Sequence, residues 1–336
     1  MNTDRTYQML LVLFFAQSCA FILGLGQLYG GDPTVQTARA STPELSRDIP
    51  DRSNLAECVI AQINYPRHIL SYQLHITTIG DHLDAIAHQY GSEAALIQQY
   101  NHISCSPPPG RALIIPQTNP PAIWPQQSVR DQTILIDHGR TDRPWVALTI
   151  DMGAGSQPVP HMLEILRERD IQVTFFPTGN WIAQNPWLAR QIAQDGHEFG
   201  NHSYSHPDLR TLTDRQIAQE LAKTEQLLYD TTGATSRPFV RPPYGAYDER
   251  VLQTITTQGY LPIFWSLDSL DSVDPPKTPA FLIHRVTTTL SREELSGAII
   301  LIHGGSEATA EALPSILDQF ATMGFEVRTL SEVLGQ

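Results

Sequence analysis

WVALTIDMGAGS, residues 145–156, runs from β-favouring residues into a carboxylate, Asp151, and then into Gly153 and Gly155. Such a run reads as a buried strand, and the glycines permit a tight turn directly after it. Ligand sites in α/β folds gather at the carboxyl ends of strands. Asp151 therefore stands where a site would be built.

Outward from this strand, apolar runs and helical patterns alternate. A helical pattern covers 160–169 (Met162, Leu163, Ile165, Leu166). IQVTFF is a strand, and Ile182 to Ala193 reads as a helix. HEFGNHS is a strand end. Thr213 to Tyr229 is a helix opened by a Thr213/Gln216 capping box. PFVRPPYG, LPIFWSLD and AIILIH are strand ends, Glu311 to Met323 is a helix, and FEVRTL is a last strand. This order predicts an α/β fold, a distorted β/α barrel, with a doubly wound open sheet as the runner-up.

Five strand ends carry polar groups. Asp151 is the first. The second is NHSYSH, with His202 and His206 four apart, a spacing that on a helical turn puts both imidazoles on one face, able to share a cation. In the third, RPPYG, prolines hold a rigid segment that aims Arg241 and the following backbone N–H groups. WSLDSLD (265–271) and LIH (301–303) complete the set. A single histidine at a strand end is usually structural. Five polar strand ends in one chain order point to a catalytic rim.

In these motifs, residues 145–334 resemble a polysaccharide deacetylase domain (carbohydrate esterase family four). The resemblance implies a distorted β/α barrel and metal-dependent hydrolysis of an acetyl group on a glycan. It implies Asp151 as general base, His202 and His206 as metal ligands, and Arg241 as the partner that keeps Asp151 ionised. It implies that the Tyr244 N–H helps hold the oxyanion and that His303 is the general acid. Asp271, rather than Asp268, is expected to hold His303. Trp265, Leu301 and Pro243 are expected to shape the substrate groove. The cofactor implied is a divalent metal ion, Zn²⁺ by first expectation.

Two positions depart from the family pattern. Met152 stands where a second acidic residue usually ligates the metal, and a thioether suits a hard divalent ion poorly. Ser272 follows Asp271 where tryptophan is usual, which removes one apolar wall. Three readings follow from Met152. The metal is held by the histidines, water and Asp151 itself, or another residue such as Asn201 fills the gap, or the domain is an inactive glycan binder. An acid and a base kept together at one strand-end rim favour an active enzyme. Amide hydrolysis needs an activated water, a held oxyanion and a proton for the leaving nitrogen. An esterase acting on O-acetyl groups would need the same groups.

The N-terminal portion of the 336-residue chain has a different character. Residues 9–29 are largely apolar and long enough for a membrane span or a long signal-peptide core, so export is expected, with an uncleaved anchor preferred. Residues 31–66 read as a linker, with one short helix at 55–63. Residues 67–118 form a compact β-α-α-β unit: YQLHIT, a helix ended by Gly91, a second helix through Tyr100, then ALIIP after PPPG. This unit is similar to a LysM module, which implies binding of N-acetylglucosamine-containing glycan. Leu83, Ile86 and Leu96 are read as its core, and His82, His88 and His102 as surface residues. Residues 119–143 read as a second linker and 144–336 as the catalytic domain. With 22 basic and 35 acidic residues the net charge is −13, which excludes a basic nucleic-acid footprint. The three cysteines form no Cys-x-x-Cys pair. For Cys58 and Cys105, a disulfide in an exported chain and two unpaired thiols both stay open.

Overall fold

The computed structural model describes residues 69–119 and 134–335. The apolar run at 9–29, the linker at 31–66, the helix expected at 55–63, and Cys58 with its pairing to Cys105 lie outside the described residues. Among the described residues no helix is long and apolar enough to cross a membrane.

The small domain has the expected order: β1 (Ser71–Ile76), α1 (Leu83–Tyr90), α2 (Ala94–Asn101) and β2 (Ala112–Gln117). The strands pair antiparallel from Ser71 opposite Gln117 to Ile76 opposite Ala112. Gly91 ends α1 in the left-handed region at φ 66°, where a residue without Cβ is at no disadvantage. Leu83, Ile86 and Leu96 are buried, as expected.

The larger domain contains β3 (Trp145–Met152), α3 (Val159–Glu168), β4 (Thr174–Pro177), α4 (Gly179–Gln184), α5 (Pro186–Gln194), β5 (Glu198–Phe199) and α6 (Asp214–Thr232). It continues with β6 (Phe239–Val240), α7 (Glu249–Thr257), β7 (Leu261–Pro262), β8 (Leu267–Asp268) and α8 (Pro279–Thr288). Then come α9 (Arg292–Leu295), β9 (Ile299–His303), α10 (Glu307–Thr322), β10 (Glu326–Arg328) and α11 (Leu330–Val333). The capping box of α6 forms as read from sequence. The helix expected over 182–193 is two helices, because Pro186 lacks an N–H and pushes Asn185 out of helical geometry.

Parallel strands run in the order β5-β4-β3-β9-β8, with β10 also paired to β3, and β6 pairs with β7. A bridge between Asn201 and Val240 joins the β5 side to β6. On the other side Ile136 bridges Ile263 and His138 bridges Ala298. These bridges close a distorted barrel and set aside the open sheet. They also correct the expected linker: from 134 onward it fills the barrel's seam, with Ile134 and Ile136 packed on the core.

Strand alternation decides what β3 delivers. Val146, Leu148, Ile150 and Met152 join the buried cluster that includes Met162 and Leu166 of α3 and Leu313 and Leu317 of α10. Ala147, Thr149 and Asp151 take the opposite face, toward the barrel interior. A second cluster runs from Ala147, Phe176, Phe239 and Ile299 in the barrel to Leu74, Tyr100 and Ile114 of the small domain. The two domains thus share apolar core and belong to one compact unit.

Candidate active site

Asp151 ends β3 nearly buried, and Arg241 reaches it from the turn after β6. Arg241 Nη1 donates to Asp151 Oδ1 at 2.7 Å, and Nη2 donates to Thr149 Oγ1 and the Phe264 carbonyl at 2.9 and 3.1 Å. Burial pushes the Asp151 carboxyl upward, but Arg241, His202 and His303 together outweigh it and hold the pKa below its ordinary value. The acid is therefore an anion, oriented and able to accept a proton.

His202 and His206 come together, with ring centroids 4.9 Å apart. The means differ from the helical turn expected. The segment is a loop, and Ser203 and His206 both have φ near 61°. Glu220 of α6 anchors the loop by accepting the N–H groups of Tyr204 and Ser205 at 2.9 and 2.7 Å. His202 Nδ1 faces the Arg241 carbonyl at 2.9 Å, so it carries the proton and leaves a lone pair on Nε2. Burial lowers the His202 pKa, and burial with His202 nearby lowers His206 to about 4. Both rings are neutral, the form that binds metal.

On the strand beside β3, His303 ends β9 in register with Asp151. Its Nδ1 donates to Asp271 Oδ1 at 2.7 Å, and its backbone N–H donates to Asp271 Oδ2 at 2.8 Å. Burial alone would lower the His303 pKa, but the bond and charge of Asp271, with Asp151 behind them, raise it. Asp268 is engaged elsewhere, accepting the Leu270 N–H at 2.7 Å. Asp271 is therefore the partner.

Asp151, His202, His206 and His303 line a cavity of about 540 Å³, with Trp265 and Leu301 as apolar walls and Tyr244 and Ser272 also lining it. A second cavity of about 510 Å³ adjoins it past Asp151 and His303. Tyr244 sits at φ 61°, φ being the same in sense as at the following glycine, and its ring lies edge-on to His206 at 4.4 Å. Pro243 departs from expectation. It is buried inside the turn and is absent from the cavity wall, because the chain presents Tyr244 and Gly245 instead.

Met152 is 1% exposed and faces away from the cavity. Its sulfur lies so close to Gly304 that a Cβ there would be 2.2 Å away. Asn201 does not fill the missing ligand position, because its amide bonds the Leu221 carbonyl at 3.0 Å and its oxygen accepts the Ser203 N–H at 3.0 Å. Among the described residues no group of three His, Cys, Asp or Glu forms a metal cluster. Yet Asp151 Oδ2 and the His202 Nε2 lone pair face each other at 3.5 Å, two acceptors with no proton between them. A cation there would relieve the opposition. The donors fit a divalent ion, with Met152 where the resemblance implies a further carboxylate.

Three positioning residues escape a sequence reading. Thr149 bonds Arg241. Thr309 donates Oγ1–H to Asp271 Oδ2 at 2.6 Å. Glu220 holds the histidine loop. Each acts from a different element, and nothing in the local sequence marks it.

An ionised acid, a pair of neutral imidazoles and a carboxylate-held histidine around one cavity at a barrel rim define a hydrolase-type site. Residues 138–263 match the polysaccharide deacetylase family model, and residues 75–116 match the LysM domain model. The chain is 34% identical over 198 residues to the uncharacterized protein YlxY of Bacillus subtilis, covering 59% of this chain but only 60% of that relative. It is 30% identical over 197 residues to peptidoglycan-N-acetylmuramic acid deacetylase PdaA of Bacillus subtilis, covering 58% of this chain and 73% of the relative. Among solved structures, BA3943 of Bacillus anthracis, described as a family-four pseudoenzyme, is similar with a TM-score of 0.56 and 30% identity. That match covers 63% of this chain and 73% of the other. The chain belongs to the polysaccharide deacetylase family and carries a LysM domain ahead of the catalytic domain.

Proposed function

We propose that the protein hydrolyses acetyl groups from N-acetylglucosamine-type units of a cell-wall glycan, peptidoglycan or a chitin-like polymer. The observation that carries this reading is the pair Asp151–Arg241 and Asp271–His303, with Asp151 and His303 side by side on adjacent strands at the rim of one cavity. One group is kept ionised as a base, and the other is kept protonated as an acid.

A divalent ion held by His202 and His206 would supply a water acidic enough to be deprotonated at neutral pH. Asp151 takes the proton from the attacking water, and Arg241 keeps that carboxylate aimed. The Tyr244 N–H helps hold the developing oxyanion. His303 delivers a proton from Nε2 to the leaving nitrogen, its Nδ1–H staying on Asp271. Trp265 and Leu301 pack against the acetyl methyl. The LysM domain holds the same polymer. An exported chain, anchored through residues 9–29, would meet that polymer at the cell envelope, a reading supported by the apolar run alone.

The test is acetate release by the full chain in mild detergent, with divalent metal and either N-acetylated chitooligosaccharide or peptidoglycan. O-acetylated substrate run in parallel separates amide from ester hydrolysis. Release that survives Asp151→Asn and His303→Ala unchanged would overturn the mechanism.

One observation favours a second reading, a glycan-binding relative without activity. Met152 is locked in the core where the family usually places a ligand. A structural neighbour is itself described as a pseudoenzyme. Glycan binding without acetate release under any metal would select it.

A further inference from the structure

Arg111 immediately precedes β2. Its backbone N–H donates to Thr77 Oγ1 at 2.8 Å. Its side chain is buried, the residue being 7% exposed, and Nε, Nη1 and Nη2 all lack a hydrogen-bond partner. An unpaired buried charge is costly, and natural folds rarely keep one. Arg241, buried in the barrel, shows a different arrangement: a carboxylate, a hydroxyl and a carbonyl take its Nη groups, and only Nε is unpartnered. Burial first, and then nearby Arg140, pull the Arg111 pKa down to about 9.

Arg111 is among the residues lining a cavity of about 260 Å³ at the seam between the small domain and the barrel. Arg140 lines the same cavity. Its Nε and Nη2 are committed to Asp142. Its Nη1 and the Nη1 of Arg111 each lie 3.5 Å from the point a Cβ on Gly335 would occupy. The two guanidinium groups are thus at most twice that distance apart, a span one carboxylate bridges. No acidic residue is among the described residues lining the cavity. His138 forms a wall rather than a ligand, because both ring nitrogens are engaged by Ser266 and Ser296. The other walls are largely apolar: Pro108, Ile136 and Leu334.

We propose that this cavity is an anion site that takes one carboxylate with a small apolar body, held between Arg111 and Arg140 across the domain seam. The Arg111 guanidinium and the remaining Nη1 of Arg140 favour an oxyanion. The apolar walls favour a carboxylate over phosphate, whose remaining oxygens would lose water without gaining partners. The ligand is either a free short-chain carboxylic acid or the carboxyl end of a peptide closing in a small apolar residue. Its binding would tie β2 of the small domain to the 138–140 segment of the barrel.

Titration calorimetry and thermal unfolding on the full chain in mild detergent test it, with propionate, N-acetylalanine and inorganic phosphate as probes at fixed ionic strength. The expected result is saturable binding of a carboxylate probe, weakened at least about tenfold in Arg111→Met and less in Arg111→Lys. Tighter binding of N-acetylalanine points to a peptide end, and tighter binding of propionate to a free acid. Arg111→Met should also unfold at a higher temperature than wild type without ligand, because it removes an unpaired buried charge. Should Arg111→Met not fold, Arg140→Gln, at a partly exposed position, carries the same expectation for affinity. No saturable carboxylate binding, binding unchanged in the variants, or phosphate binding tighter than both carboxylates would overturn the proposal.

Discussion

Both oxygens of Asp271 engage His303, one through the ring Nδ1 at 2.7 Å and the other through the backbone N–H at 2.8 Å. The carboxylate therefore sets the ring's tautomer, its orientation and its charge together. Thr309 bonds the second oxygen as well, which leaves the carboxylate little freedom to turn.

Removing the acid should slow the chemical step far more than binding. His303→Ala is expected to lower kcat by about 100- to 10,000-fold with KM little changed. Asp271→Asn withdraws the charge that raises the His303 pKa. General-acid activity is lost as pH rises through that pKa, so the alkaline limb of the kcat profile should move to lower pH. The same raised pKa favours the fold below the ordinary histidine value of 6.5 and ceases to do so as pH rises through the folded value. A profile unmoved by Asp271→Asn would remove the carboxylate's assigned role.

Arg241→Met leaves Asp151 buried without its cation. Breaking a buried pair from one side costs about 3–5 kcal/mol, to be read from urea unfolding. With burial no longer offset, the Asp151 pKa should rise and the acid limb of activity should shift to higher pH. In the wild type the depressed pKa stabilises the fold above the ordinary value of 3.8, and that gain is lost as pH falls through the folded value.

Met152→Asp places a carboxylate on the core-facing side of β3. Without metal, the variant should lose about 2–4 kcal/mol of stability. If its carboxylate turns to the rim and joins His202 and His206, saturating divalent metal restores part of that loss and raises its Tm more than that of wild type. Thermal unfolding with and without metal reads both effects.

Much of the site could be read from sequence because strand ends advertise it. Asp151 and His303 each follow an apolar run, with glycine two residues after the first and directly after the second. Arg241 sits before two prolines, and Asp271 follows WSLDSL. Met152 was legible in principle: next to an inward Asp151 on a strand, period two sends it to the opposite face. What the sequence hid came from distant elements meeting. Glu220, Thr309 and Thr149 are ordinary helix and strand residues until the barrel folds. Ile134 and Ile136 were obscured by a Pro- and Gln-rich stretch just before them. His102, read as a surface residue, contacts the Arg237 carbonyl at 2.6 Å across the domain seam.

That seam also changes how the LysM domain acts. A flexibly tethered module raises local substrate concentration wherever its linker reaches. Here Tyr100 donates its hydroxyl to the Gly259 carbonyl at 2.7 Å, and the Arg237 guanidinium lies over the Tyr72 ring at 5.2 Å. Tyr100→Phe should cost about 1–3 kcal/mol. Urea unfolding should show one transition for both domains in wild type. Two separated transitions in wild type would show that the domains are independent.

The central claim is that this rim catalyses deacetylation despite Met152. Acetate release by the full chain, with divalent metal and N-acetylated glycan, tests it most directly when wild type is measured beside Met152→Asp. The account predicts release by wild type that Asp151→Asn and His303→Ala abolish. No release by wild type under any metal, with release appearing in Met152→Asp, would contradict it.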